Sequence, residues 1–162
     1  MSERSERINK RSERSEGRVD ERQLLAMTGA ELDELFRRSP AGDVPRGDAR
    51  GTVLLFTGSR LASIIARLAY PLGWQGKVVA PDGRQLLNKI TPLRVPAIRA
   101  TVSPSQSWVD GGECVLIDYS RTSLVARWVR DEIRLVAPGL YLGVVWLRRR
   151  RIAGFALRFP TY

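Results

Sequence analysis

The sequence predicts a mainly β protein, an antiparallel barrel of about 8–10 strands carrying one apolar helix and a short N-terminal helix. The first observation is the stretch from Val115 to Phe159, where the apolar-rich runs CVLIDYS, LVARWV, EIRLVA, LYLGVVWL and RIAGFALRF follow one another. Turn chemistry at Ser120-Arg121-Thr122, Arg130-Asp131, Pro138-Gly139 and the Arg148–Arg151 cluster separates them, the punctuation of an antiparallel meander. The second is the last run, in which Phe155, Leu157 and Phe159 share one strand face and Ala156 and Arg158 the other. The third is the lack of strand–helix–strand alternation, which disfavours a parallel nucleotide-binding sheet. So many strands in one sheet would expose edges, and closure removes them.

Taken in order, residues 1–26 read as a disordered tail. Ser-Glu-Arg repeats at 2–4, 5–7 and 12–14, with few apolar groups to offset the entropy of ordering. This tail is expected to be dispensable, with Met27 an alternative translation start and residues 27–162 the barrel domain. Thr28-Gly29-Ala30-Glu31 is a capping box opening a helix to about Arg38, with Leu32, Leu35 and Phe36 on its apolar side. Residues 40–51 read as a loop and Thr52–Phe56 as the first strand. Ser59 is the candidate N-cap of the apolar helix, whose Leu61, Ile64, Ile65 and Leu68 share a face before Pro71 stops it; packed on the barrel it would be a plug, or else a lid. Trp74–Ala80 and Gln85–Ile90 form a hairpin about Pro81-Asp82-Gly83. Arg94–Val102 is a strand weakened by Pro96, residues 103–107 a polar loop, Trp108–Val109 a short strand and Asp110-Gly111-Gly112 a tight turn. Residues 132–147 form a second hairpin, with Pro138-Gly139 at the centre of a type II turn.

At 162 residues with 43% hydrophobic and 27% charged side chains, the chain suits one globular domain. Its net charge of +10 comes from arginine, lysine standing only at positions 10, 77 and 89. Arginines spread over many strands, without a recognition helix or an aromatic RNA platform, meet only the first criterion for nucleic-acid binding, which is therefore not an expected partner. There is no histidine and a single cysteine, Cys114. That excludes histidine-activated nucleophiles and makes a metal site improbable, so neither metal nor cofactor is expected. An unpaired cysteine and no apolar signal core point to the cytoplasm. The most apolar helix candidate, Leu61–Tyr70, is about half the length needed to span a bilayer.

The remaining chemistry lies in carboxylates, tyrosines and arginines. Asp118 to Ser123 is the densest polar cluster between apolar runs, and Arg130-Asp131-Glu132 the next. Either an acid buried beside an arginine serves as base or ligand anchor, or Asp118 caps a turn and Arg130–Asp131 is a surface pair. Trp74 and Lys77 fall on opposite strand faces, so a core Trp74 puts Lys77 in water, unless Gly76 marks a bulge that turns both inward. Trp108, Trp128, Trp146, Tyr119 and Tyr141 are further candidates for a cavity wall. Arg148, Arg149, Arg150 and Arg151 form a hairpin tip, read either as a solvated turn or as a weak contact with an anionic membrane surface.

The order Gly51, Thr57-Gly58, an apolar helix and Gly73-Trp74-Gln75-Gly76-Lys77, followed by Asp131-Glu132-Ile133-Arg134, Leu140–Val144 and Phe155-Ala156-Leu157, resembles the bacterial GXWXG-type domains over about 47–159. The resemblance implies a calycin-like barrel, related to lipocalins and fatty-acid-binding proteins. Together with the missing histidine it leads to an expected function: cytoplasmic binding of a small hydrophobic or amphipathic, acidic ligand such as a lipid. Trp74, Tyr119 and Tyr141 would form the wall and Arg130 the polar anchor. The alternative is a cofactor-independent isomerase or cyclase acting in an enclosed pocket, with Asp118, Tyr119 or Asp131 transferring protons.

Overall fold

The computed structural model describes residues 19–54, 74–90, 98–124 and 126–161, with Trp74, Lys89 and Ile90 described by their backbone alone. Two helices, α1 (Glu21–Ala26) and α2 (Gly29–Arg38), precede eight strands: β1 (Gly47–Leu54), β2 (Trp74–Val79), β3 (Gln85–Ile90), β4 (Arg99–Gln106), β5 (Glu113–Asp118), β6 (Val129–Ala137), β7 (Leu140–Leu147) and β8 (Arg150–Arg158). Each strand pairs antiparallel with the next, and β1 returns to β8, closing the sheet as a barrel. The fold class expected from the sequence is therefore the one that forms, with eight strands. The apolar helix expected after Ser59 lies outside the described residues.

Alternation along the strands sorts side chains into two cores. Ala49, Val79, Leu86, Val102, Val115, Ile117, Ile133, Phe155 and Leu157 point into the barrel. The outer faces of β7, β8 and β1 supply Leu140, Leu142, Val144, Ala156 and Leu54, which Leu24 of α1 and Leu32, Leu35 and Phe36 of α2 cover. Phe155, Leu157 and Phe159 do share the inner face, whereas Ala156 packs outside under the helices. Gly143 sits across from Phe155 in the β7–β8 ladder. A Cβ there would come within 2.3–2.6 Å of the Phe155 ring, so only glycine leaves room for it.

Several boundaries move. Residues 20–26 are not tail: Asp20 and Gln23 form a capping box for α1, Leu24 is fully buried, and Glu21 pairs with Arg158 of β8 at 2.7 Å. The capping box, Leu24 docked in an apolar groove and the ion pair together hold this short helix against the barrel. β1 begins at Gly47 rather than Thr52 because its first half pairs with β2 and its second half with β8. β4 runs through Ser103–Gln106, expected to be loop; Pro104 is tolerated because β3 pairs only with Arg99–Thr101, leaving that part of β4 an open edge on one side. Trp108–Val109 and Ala126–Trp128 do not extend the sheet. Glu132 carboxylate oxygens accept from the Trp108 N–H at 2.9 and 3.1 Å, and in the second segment the Ala126 N–H donates to the Ser123 hydroxyl at 3.0 Å while the Ala126 carbonyl accepts from the Val129 N–H at 2.8 Å.

Candidate functional site: a charged network inside the barrel

Among the described residues the barrel interior is largely apolar, and β2, β3, β6 and the end of β5 each contribute one polar side chain to a single cluster. These are Lys77, Asn88, Asp131 and Tyr119, all buried. Lys77 reaches the interior because the β2–β3 register slips between Trp74 and Gly76. At Gly76 φ is 134°, and a Cβ would lie 2.1 Å from the Ala49 carbonyl oxygen. This backbone approach is open to glycine alone, and the bulge it makes re-aims the following lysine. The reading in which Lys77 faces water is thus overturned by the bulge at Gly76. The side chain of Trp74, expected on the cavity wall, lies outside the described residues.

The four groups bond to one another. The Lys77 ammonium donates to Asn88 Oδ1 at 2.8 Å, to the Tyr119 hydroxyl at 2.5 Å and to Asp131 Oδ2 at 2.9 Å. The Tyr119 hydroxyl donates to Asp131 Oδ2 at 3.0 Å and accepts from Asn88 Nδ2 at 3.1 Å. Lys77 Nζ also lies 5.3 Å from the ring centres of both Tyr119 and Phe155. Burial on its own would push the ammonium toward its neutral form. The adjacent Asp131 carboxylate, with Tyr119, outweighs burial and holds Lys77 above its ordinary value, so it stays charged. Burial, reinforced by Asp131, pushes the Tyr119 phenol up to about 12 against the opposing pull of Lys77. Tyr119 is therefore a neutral donor at physiological pH. Asp131 Oδ1 is buried and has no hydrogen-bond partner among the described residues.

The other expected site residues separate from this network. Tyr141 is on the inner wall, but its hydroxyl donates to the Asp43 carbonyl at 2.7 Å and its ring stands edge-on to Phe159. Arg130 is one residue from Asp131 on β6 and so on the opposite face. It points outward, where Nε donates to Glu132 Oε1 at 2.7 Å and Nη2 to the Gln106 carbonyl at 2.7 Å. It cannot anchor an interior ligand, and the surface Arg130–Asp131 pair does not exist because strand alternation splits the two. Asp118 also faces outward and accepts from the backbone N–H and hydroxyl of Ser120, both at 2.9 Å, capping the turn. Of the three residues considered for proton transfer, Tyr119 and Asp131 come together and Asp118 does not.

Two further buried charges were not among the expected site residues. Arg134, 2% exposed, caps the end of α2 through the Phe36 and Arg37 carbonyls at 2.9 and 3.1 Å and makes a forked pair with Asp110 at 2.7 and 2.8 Å. Glu132, fully buried, accepts from the Ser107 hydroxyl at 2.5 Å as well as from Trp108 and Arg130. Both serve architecture, fastening α2 and the β4–β5 loop to the outer wall. Cys114 is buried, and burial pushes its thiol up to about 11, which leaves it unreactive. Among the described residues no group of acidic or sulfur ligands could hold a metal ion, and no helix is long and apolar enough to cross a membrane.

These features define an eight-stranded antiparallel barrel with an ion-paired polar cluster in its interior. Among solved structures, the chain is similar to that described as the crystal structure of a protein from Thermomonospora curvata, with a TM-score of 0.54 and 17% identity over 96% of this chain and 97% of that one. At that identity the likeness concerns the fold. No protein-family model matches the chain, and no curated protein matches it.

Proposed function

We propose that the barrel binds a small hydrophobic or amphipathic molecule, such as a lipid, with its polar head at the Lys77–Asp131–Tyr119–Asn88 cluster. The observation that carries this reading is the buried Asp131 Oδ1, an acceptor with no donor among the described residues, in a polar cluster that apolar side chains of the barrel surround. An unsatisfied buried acceptor costs about 1–3 kcal/mol, and a buried ion pair is rarely more stable than apolar residues of the same volume. Such a cluster is retained for recognition better than for stability. The chemistry asks for a ligand whose head offers a hydroxyl, amide or protonated acid to Oδ1. A carboxylate head would meet Asp131 as a like charge, which revises the acidic ligand expected from Arg130. The interior of an eight-stranded barrel is either filled by side chains or holds one small ligand, and the second case is the one proposed, as is kinship with calycin-like GXWXG-type domains. So does a cytoplasmic setting, supported by the single buried thiol.

The test is displacement of a fluorescent long-chain alcohol from the purified protein. Wild type should bind the probe at micromolar concentration and Asp131→Asn at least about tenfold more weakly, since the amide can present a donor where the ligand needs an acceptor. Equal binding by both proteins, or none by either, refutes the assignment. The 3.0 Å Tyr119–Asp131 hydrogen bond favours a second reading, a cofactor-independent isomerase with Asp131 as base and Tyr119 as acid. Recovery of a chemically altered ligand after incubation separates it from simple binding.

A further inference from the structure

Outside the barrel, on the far side of β5 and β6 from the charged network, lies an open cleft of about 730 Å³ lined by Trp108, Trp128, Arg127, Arg130, Arg148 and Arg149 together with Asp118. Each tryptophan carries two guanidiniums. Arg130 and Arg149 lie 4.4 and 4.5 Å from the Trp108 ring centre, and Arg127 and Arg148 lie 4.6 and 4.7 Å from that of Trp128. Stacking on a ring uses the face of a guanidinium and fixes its plane, while the N–H donors around its edge stay available. Among the described residues, Arg130 alone of the four spends its edge, on Glu132 and the Gln106 carbonyl. Arg127, Arg148 and Arg149 form no ion pair with a carboxylate among the described residues. Four arginines face the single acid Asp118 across the cleft.

The backbone supplies an independent observation. Arg148 and Arg149 are the two residues of the β7–β8 turn, since Leu147 pairs with Arg150. Both have positive φ, 47° and 70°, and they are the described non-glycine residues that do. Two-residue hairpins of this shape favour Asn-Gly, so two arginines strain the turn. Both arginines of this turn line the cleft, and the Arg148 N–H bond to the Trp128 carbonyl at 3.1 Å carries the β6–β7 ladder one step past Val129–Leu147 and holds the turn in place. Concavity, fixed unpaired guanidiniums and a turn held against its own preference converge on one place.

We propose that this cleft is a second binding site, specific for a small organic molecule carrying a phosphate or diphosphate. Planar guanidiniums match the paired oxygens of a phosphoryl group, and the excess of positive charge favours a multiply charged anion over a carboxylate. The volume fits a molecule of drug or nucleotide size, and the concave shape favours it over a membrane surface or a nucleic-acid strand. Because Arg130 and Asp118 lie here, these two sequence candidates belong to this outer site rather than to the interior one.

Intrinsic tryptophan fluorescence and calorimetric titration with inorganic pyrophosphate and with ADP test the proposal, since Trp108 and Trp128 report from within the cleft. The informative variant is Arg148→Asn with Arg149→Gly, which gives the turn its preferred residues. It should melt higher than wild type yet bind both probes at least about a hundredfold more weakly. Arg84→Ser removes a charge from the exposed β2–β3 turn and should leave affinity within about twofold. Retained affinity in the double variant, or equal loss in Arg84→Ser, overturns the proposal. So does binding confined to vesicles of phosphatidylcholine with phosphatidic acid, or to single-stranded RNA, with none to pyrophosphate or ADP.

Discussion

Removing Lys77 is the most revealing perturbation of the interior. Lys77→Met keeps the volume and deletes the ammonium that donates to Asn88, Tyr119 and Asp131. Asp131 would then keep one hydrogen bond, from Tyr119, in a site 3% exposed. Breaking a buried ion pair from one side costs about 3–5 kcal/mol, so Tm should fall by about 10 °C or more for a domain of this size. Replacing both partners, Lys77→Met with Asp131→Leu, removes the unpaired charge as well and should recover most of that loss or exceed wild type. Circular dichroism melts of the four proteins close a double-mutant cycle, with an expected coupling of at least about 2 kcal/mol. Singles that melt within about 2 °C of wild type, or a double variant no more stable than the worse single, would refute the reasoning that these charges pair in an apolar interior.

Three other outcomes follow from the same geometry. Tyr119 titrates near 10 when unfolded and at about 12 in the barrel, so between those values the unfolded chain gives up a proton the folded one keeps; stability should be full below pH 10 and fall as pH rises toward 12, and Tyr119→Phe should flatten that fall in pH-dependent melts. On the acid side, the Arg134 guanidinium holds the Asp110 carboxyl below its ordinary value, so this contribution should be lost as pH falls through the folded value, and Asp110→Asn should remove that dependence. Leu24→Ala should cost about 2–4 kcal/mol in denaturant titration because Leu24 is fully buried between α1 and the barrel wall, and a chain starting at Met27 should lose at least as much.

Strand pattern and turn chemistry carried the barrel into view because period-two alternation survives wherever one face is buried, as in Phe155–Phe159. The hairpin about Pro138-Gly139 was equally legible, since those residues leave the chain few alternatives. The N-terminal boundary was not. A six-residue helix rests on Leu24 and a single capping box, too short a pattern to stand out from the polar repeats before it. Lys77 could be read either way, because the bulge that aims it inward needs Gly76, and glycine alone does not say whether it is used. Arg130 was read either as a ligand anchor or as half of a surface pair with Asp131, and neither Glu132 nor Arg134 was expected to be buried. Their burial depends on the β4–β5 loop and α2 folding over that face, contacts between residues 21 to 98 positions apart that no local pattern encodes. Tyr119 and Asp131 were marked as candidates by their place in polar clusters between apolar runs; their partner Lys77 comes from a strand 42 residues away from Tyr119.

Native mass spectrometry of the wild type and of Lys77→Met/Asp131→Leu, expressed and purified side by side, tests binding at the interior network most directly. Both proteins should fold, so any difference in cargo belongs to the charged cluster. The account predicts one small amphipathic molecule per wild-type chain, released as a discrete mass by collisional activation, and an empty double variant. The same adduct on both proteins would contradict it, as would a wild type that carries nothing and takes up no long-chain alcohol when one is supplied.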